Sequence, residues 1–143
     1  MTEPGEAAAG DPRRPAAVQL GFLWGAAAAS TAALALAAPG LVSRAASALP
    51  PCLAKVLTGV PCPGCGSGRA TLALARLDLP AAFVWNPLFS LAALLFVAGG
   101  AVALAMALSG RGVPEPRTLP VTLRAALVLA VVANWAWLVF DGR

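Results

Sequence analysis

The sequence from Asn86 to Leu108 reads NPLFSLAALLFVAGGAVALAMAL, and this stretch decides the fold. It carries no charged residue, and it exceeds the roughly 20 residues that a helix needs to cross the hydrocarbon core of a bilayer. Asn86 is a favoured N-cap residue, and Pro87 suits the first helical position because an N–H there would have no partner within the helix. Residues 87–108 are therefore predicted to form a transmembrane helix.

Two further apolar segments lie on either side of this stretch. Residues 16–38 contain no charge, and residues 120–140 contain only Arg124, close enough to the helix start to reach the bilayer surface. Pro39-Gly40 is expected to end the first of them. The first run has an alternative interpretation as a signal peptide, although it is longer than the usual signal core of about 7 to 15 apolar residues. Together the segments predict an all-α integral membrane protein with three transmembrane helices.

The composition agrees with a membrane protein and excludes several kinds of site. Hydrophobic residues make up 59% of the chain and charged residues 11%, which is too apolar for a water-soluble fold. The chain has no histidine, so a Ser/His/Asp triad, a His-Glu-x-x-His zinc helix and a haem attachment motif are excluded. The net charge is +4, but the basic residues lie at segment edges and form no stripe with aromatic residues. The expected partner is therefore the lipid bilayer and not nucleic acid.

The predicted spans divide the chain into a tail and a membrane domain with two sides. Residues 1–15 are rich in Pro, Gly and charge and are predicted to be a disordered tail, whereas residues 16–143 form the membrane domain. Three crossings place the loop 41–80 on the same side as the carboxyl terminus. Arg13-Arg14 adjoins the first span, and the second connection, which begins near Arg111, is short and rich in Arg. The ten basic residues are balanced, five on each side of the predicted membrane, so the positive-inside rule leaves both orientations open. The arginine pair beside the first span and the short second connection favour a cytoplasmic amino terminus and an extracytoplasmic loop 41–80 in the cell membrane.

The loop 41–80 contains the three cysteines, which are the strong nucleophiles and soft ligands of the chain. Cys52 comes first, and the other two follow in the motif Pro61-Cys62-Pro63-Gly64-Cys65-Gly66. The glycines Gly64 and Gly66 permit a tight turn, and Pro63 restricts the backbone after Cys62. Residues 69–77 are predicted to form a short helix at the membrane interface. This loop is the predicted functional site.

Three uses of the cysteines follow from their spacing. A Cys-x-x-Cys turn can interconvert a dithiol and a disulfide, with Arg69 and the helix start stabilising a thiolate and Cys52 as a resolving thiol. The same turn is half of a zinc site, in which Cys52 is the third ligand and Asp78, water or another chain is the fourth. A structural disulfide, or buried thiols without chemistry, is the third interpretation. The sequence leaves these alternatives open, and with them the questions of a cofactor and of enzymatic activity.

Small and polar residues within the spans indicate how the helices pack. Gly21 and Gly25 form a Gly-x-x-x-Gly pattern that lets two helices approach closely. Packing within the chain is the simpler interpretation, and a homodimer is the alternative. Asn134 lies deep in the third span and is expected to find a partner across a helix interface. Trp135 and Trp137 are expected to mark the membrane boundary.

The cysteine motif and its surroundings resemble a known family. Cys52, the run Leu57-Thr58-Gly59-Val60-Pro61-Cys62-Pro63-Gly64-Cys65-Gly66, Arg69-Ala70 and Asn86-Pro87 are similar in order and spacing to the domain of unknown function 2752 family of small bacterial membrane proteins. At Gly68 the chain departs from the family, whose members typically carry Thr before that Arg. The resemblance covers about residues 41–143 and implies a multi-pass bacterial membrane protein whose three cysteines and Arg69 belong to the family pattern.

The resemblance implies no established activity. The functional prediction is therefore a membrane protein with a cysteine-centred site in its first loop, supported by Pro63, Gly64, Gly66, Asn86 and Pro87. A membrane thiol/disulfide redox protein, a zinc-binding membrane protein and a subunit of a larger membrane complex are the alternatives. The last of these would have another membrane protein as its partner.

Overall fold

The regular elements of the protein are helices. The computed structural model describes residues 14–48, 52–113 and 119–141, and the elements there are α1 (Arg14–Ala37), α2 (Pro39–Ala48), α3 (Leu53–Thr58), α4 (Ser67–Ala75), α5 (Leu79–Trp85), α6 (Pro87–Leu108) and α7 (Val121–Phe140). Helices α1, α6 and α7 have 24, 22 and 20 residues and are long and apolar enough to cross a membrane. The prediction of an all-α fold with three such helices is confirmed.

Helices α1 and α6 pack against each other in antiparallel directions along a ridge of small residues. A Cβ added to Gly25 of α1 would lie 2.5 Å from the Cβ of Leu104 in α6, closer than two such atoms approach. Gly100 of α6 faces Ala28 of α1 in the same way, and Gly21 contacts α6 one turn further along. The Gly-x-x-x-Gly pattern is thus used for packing within the chain, where glycine lets two backbones come together.

Helix α7 is buried at few positions. Among its residues only Asn134 and Leu138 are buried, both in its carboxyl-terminal half. The backbone N–H of Leu88 donates to Oδ1 of Asn134 at 3.0 Å, so the end of α7 lies beside the start of α6. Most of its other apolar side chains are exposed, as expected for a helix that lipid surrounds.

The direction of each long helix places the cysteine region at one end of this bundle. Helix α1 ends there, α6 begins there and α7 ends there, while α4 packs against α2 and α5 between them. At the opposite end the N–H of Val113 donates to the carbonyl of Ala17 at 3.5 Å. This bond ties the connection after α6 to the start of α1. The cysteine loop and residues 109–113, which follow α6, are therefore at opposite ends of the bundle.

The loop 41–80 contains more helix than its sequence predicts. Pro39-Gly40 follows the end of α1, but it also begins α2, because proline is favoured in the first turn of a helix. The pattern does not predict α3 or α5, and the helix predicted at 69–77 is α4, two residues earlier. Asp78, a predicted metal ligand, instead accepts the N–H of Ala81 at 3.0 Å and caps α5.

Some sequence predictions fall on residues that the structure does not describe. The predicted tail 1–15 lies outside the described residues as far as residue 13, and α1 already begins at Arg14. Residues 49–51 of the loop and 114–118 of the second connection are also outside them.

Candidate functional site

The three cysteines converge although α3 separates the first from the other two. Cys52 lies directly before α3, Cys62 follows it, and Cys65 precedes α4. Their Sγ atoms all lie within 4.8 Å of one another, and those of Cys62 and Cys65 are 3.6 Å apart. All three are free thiols and half-buried. The structure therefore brings Cys52 to the Cys-x-x-Cys pair.

The turn that carries Cys62 and Cys65 depends on one glycine. The N–H of Cys65 donates to the carbonyl of Cys62 at 2.9 Å and closes the turn. Gly66 has φ +83°, and a Cβ there would lie 2.6 Å from the carbonyl oxygen of Trp85 at the end of α5. Both the left-handed backbone and this close approach require glycine. Gly64 has neither constraint, because the nearest atom to an added Cβ is the Sγ of Cys62 at 3.9 Å.

Asparagine side chains hold the carbonyl groups of this turn. The Nδ2 of Asn86 donates to the carbonyl of Pro63 at 3.2 Å and to that of Cys65 at 3.0 Å. The Nδ2 of Asn134 donates to the same Pro63 carbonyl at 3.2 Å. Asn86 is 1% exposed and Asn134 5% exposed, so hydrogen bonds to bulk water could not replace these bonds if they were lost.

The same two asparagines satisfy the start of α6. The Oδ1 of Asn86 accepts the N–H of Phe89, and the Oδ1 of Asn134 accepts the N–H of Leu88, both at 3.0 Å. The first N–H groups of a helix have no partner within it, so both bonds cap α6. Each amide therefore joins the helix start to the cysteine turn, and the expected capping role of Asn86 before Pro87 is seen.

Trp135 adds a third link between α7 and the turn. Its Nε1 donates to the carbonyl of Pro61 at 2.8 Å. The sequence predicts a packing role for Asn134 and a boundary role for Trp135, but it does not connect either to the cysteines. Their partners in the turn are 71 and 74 residues away along the chain. The one available signal is the strongly polar residue in an otherwise apolar helix, which needs a partner.

Hydrogen bonds and burial shift the acidity of two thiols in opposite directions. The backbone N–H of Lys55 and, next, the side chain of Cys62 lower the pKa of Cys52 from 9.0 to about 6. Burial, followed by the side chains of Cys52 and Cys62, raises the pKa of Cys65 to about 12. These shifts favour the thiolate at Cys52 and the protonated thiol at Cys65. A thiolate is the form that binds a metal ion or attacks a disulfide.

Arg69 braces the helices beside the turn. Its guanidinium carbon lies 4.5 Å from the centroid of the Trp85 ring, a cation–π contact between α4 and α5. The stabilisation of a thiolate of the Cys-x-x-Cys pair by Arg69 stays a prediction, and Arg69 is not among the groups that shift the pKa of Cys65. Arg69 therefore supports the same end of α5 that Gly66 contacts.

The family comparison matches the segment that contains this site. Residues 52–100 match the family model described as "Protein of unknown function (DUF2752)", which confirms the predicted family resemblance over a shorter segment than the predicted residues 41–143. The match begins at Cys52, contains the whole turn and Arg69, and continues past Asn86 into α6. Searches of curated proteins and of solved structures give no match.

Proposed function

We propose that the protein is an integral membrane protein that binds a soft metal ion, with zinc(II) as the best match, through Cys52, Cys62 and Cys65. The observation that carries the proposal is the spacing of the three sulfurs, all within 4.8 Å of one another. Two thiolates on one tetrahedral zinc, each at about 2.3 Å from it, lie about 3.8 Å apart. The Cys62 and Cys65 sulfurs lie 3.6 Å apart, whereas a disulfide needs about 2.05 Å. The spacing supports a shared ion.

The set of available ligands supports the same proposal. Thiolates select zinc and other soft metals, and the chain has no histidine to compete with them. In residues 14–48, 52–113 and 119–141, the three cysteines form the one group of ligand-bearing side chains close enough to share an ion. Three protein ligands leave a fourth position for water or for a ligand from another protein. Such an ion would fasten Cys52 to the turn and could polarise a water at the open position.

The proposal includes an orientation, with the cysteine turn on the extracytoplasmic side of the cell membrane. Support comes from the sequence, where Arg13-Arg14 adjoins α1 and the connection between α6 and α7 contains Arg111 and Arg117. Arginine is enriched on the cytoplasmic side of membrane spans. The amino terminus and this connection are accordingly proposed to be cytoplasmic.

Metal analysis of protein purified in detergent tests the proposed ion. We expect about one zinc per chain in the wild type, and its loss in Cys65→Ser because three thiolates are needed to hold it. Thr71→Ala is a matched control, since its Oγ1 donates to the carbonyl of Ser67 within α4 and not to a sulfur. Wild-type protein that binds no more zinc than Cys65→Ser, after equilibration with zinc, contradicts the proposal.

The three free thiols, whose Sγ atoms lie within 4.8 Å of one another, favour a second candidate function, thiol–disulfide exchange with a partner protein, and the lowered pKa of Cys52 supports it. The Cys52 thiolate would attack a partner disulfide, whose S–S bond breaks as a mixed disulfide forms and one partner thiolate leaves. Another cysteine of the trio would then lose its proton and attack the Cys52 sulfur, which releases the second partner thiolate. Two cysteines are oxidised to a disulfide, and the partner disulfide is reduced to two thiols.

A membrane-impermeant alkylating reagent applied to intact cells distinguishes the candidates. The metal site predicts that labelling of the cysteines increases when a chelator is added, and the redox function predicts that it increases only when a reductant is added. Full labelling of all three without either addition, also after the cells are treated with the thiol oxidant diamide, contradicts both and leaves a role as a subunit of a larger membrane complex. Labelling that occurs only after the cells are permeabilised would show that the orientation is wrong.

A further inference from the structure

We propose that Asn86, Asn134 and Trp135 are positioning residues of the cysteine site. Through Asn134 and Trp135, metal binding and the docking of α7 against the start of α6 and the cysteine turn stabilise each other. This inference rests on the proposed metal site and adds how that site is held and what responds to it. None of the three side chains is a proposed ligand. Their effect acts through the backbone of the turn.

The carbonyl groups of the turn are the points at which it is held. The carbonyls of Pro61, Pro63 and Cys65 each accept a hydrogen bond from one or two of these side chains. A peptide unit is planar, so fixing a carbonyl also fixes the direction of the next N–H and Cα. The held units lie immediately before Cys62, between the two cysteines, and immediately after Cys65. The paths of both sulfur-bearing residues are thereby constrained.

Each asparagine has two roles that can be separated. The Oδ1 atoms of Asn86 and Asn134 cap α6, while their Nδ2 atoms hold the turn. An Asn→Asp substitution keeps the oxygen that caps the helix but removes the N–H donor and places a carboxylate against a carbonyl oxygen. A loss of metal affinity in such a variant therefore reports on the turn and not on the helix cap.

Helix α7 depends strongly on this contact. It buries only Asn134 and Leu138, and three hydrogen bonds join it to the start of α6 and to the turn. Two of those bonds end on the Pro61 and Pro63 carbonyls, which would move if the turn changed shape. Coupling between two such events is reciprocal: metal strengthens α7 docking by the same factor by which docking strengthens metal binding.

Zinc affinity, measured by chelator competition on the full-length protein in detergent, tests the positioning role. Asn86→Asp and Asn134→Asp are expected to weaken zinc binding about 10- to 100-fold, the usual effect of losing a group that orients metal ligands. Cobalt(II)-loaded variants should also show altered absorption bands, because these follow the positions of the sulfurs. Ser90→Ala is the matched control: its buried Oγ donates to the Ala82 carbonyl, and we expect unchanged affinity.

Hydrogen exchange with and without zinc tests the coupling to α7. Zinc should slow amide exchange in residues 52–66 and in α7 of the wild type, but not in α1. In Asn134→Leu, which keeps the bond from Trp135 to the turn, the effect on α7 should weaken, while protein that binds zinc still protects the turn. Trp135→Phe, which removes the indole N–H donor and part of the ring, tests the other link to the turn while the bonds of Asn134 remain. Circular dichroism of each variant verifies its helix content.

The outcomes separate this inference from the proposed function. Wild-type affinity in both Asn→Asp variants would refute the positioning role while the metal site stands. Wild-type protein that binds zinc with no change in α7 exchange would refute the coupling. Wild-type protein that binds neither zinc nor cobalt would refute the proposed function itself, and this inference with it.

Discussion

Replacement of Gly66 by alanine tests the geometry of the turn most directly, because the structure sets two separate costs there. Alanine at φ +83° pays about 1–2 kcal/mol for the left-handed conformation. Its Cβ would also lie 2.6 Å from the carbonyl oxygen of Trp85, and relief of such overpacking typically costs about 1–3 kcal/mol. We expect Gly66→Ala to destabilise the protein by about 2–5 kcal/mol.

Two neighbouring glycines provide controls that isolate these costs. Gly59 has φ +73° and no atom within 4 Å of an added Cβ, so Gly59→Ala should destabilise the protein by the conformational cost alone, about 1–2 kcal/mol. Gly64 has no positive φ, and an added Cβ there makes an ordinary contact at 3.9 Å. Gly64→Ala should therefore remain within about 0.5 kcal/mol of the wild type.

Thermal unfolding in detergent, followed by circular dichroism, measures the series. The expected order of Tm places wild type and Gly64→Ala highest, Gly59→Ala next and Gly66→Ala lowest. Gly66→Ala should also lose zinc affinity, because the backbone must move beside Cys65 to admit the new methyl group. A Tm for Gly66→Ala equal to that of Gly59→Ala would refute the close approach of the Trp85 carbonyl. A Tm equal to that of the wild type would refute the left-handed turn as well.

Three further predictions concern single features of the fold. In metal-free protein, the alkylation rate of Cys52 should reach half its maximum near pH 6. Because folding lowers the pKa of Cys52 from 9.0 to about 6, the stability that its thiolate contributes is complete above pH 9 and is lost as the pH falls through about 6. Alkylation rates and Tm values that stay constant across this pH range would contradict the prediction. Arg69→Gln should cost about 0.5–1 kcal/mol through loss of the exposed cation–π contact with Trp85, and metal analysis should show unchanged zinc content. Gly25→Ala should force α1 and α6 apart and lower Tm, whereas Gly40→Ala, with open space around the added atom, should not; equal Tm values would count against the close packing.

The long helices are predictable because the properties that determine them are local. An apolar run of sufficient length crosses a membrane whatever the rest of the chain does, and Asn86-Pro87 marks a helix start by its own chemistry. The observed α6 accordingly covers Pro87–Leu108. The short helices are harder to predict from the sequence, because a proline such as Pro39 can follow the end of one helix and begin the next. In the structure α2 packs against α4, a contact that its own residues do not reveal as a pattern.

The site is predictable only in part. Cys62 and Cys65 are close because two residues separate them, so any tight turn brings their sulfurs together. The approach of Cys52, and the bonds from Asn134 and Trp135 to carbonyls 71 and 74 residues away, depend on tertiary packing that one sequence does not encode as a pattern. An asparagine within an apolar helix predicts that some partner exists, but not which group it is.

The close packing of α1 against α6 affects how the sulfurs find one another. All three cysteines lie between the end of α1 and the start of α6, so the packing of these two helices closes that segment into a loop whose ends are held together. While α1 and α6 are packed together, bringing the thiols to one another therefore carries no further entropy cost for joining the ends of this segment. Within this closed loop the effective concentration of each thiol near the others is higher than in an open chain. An ion that binds them therefore needs to order only the loop between the two helices.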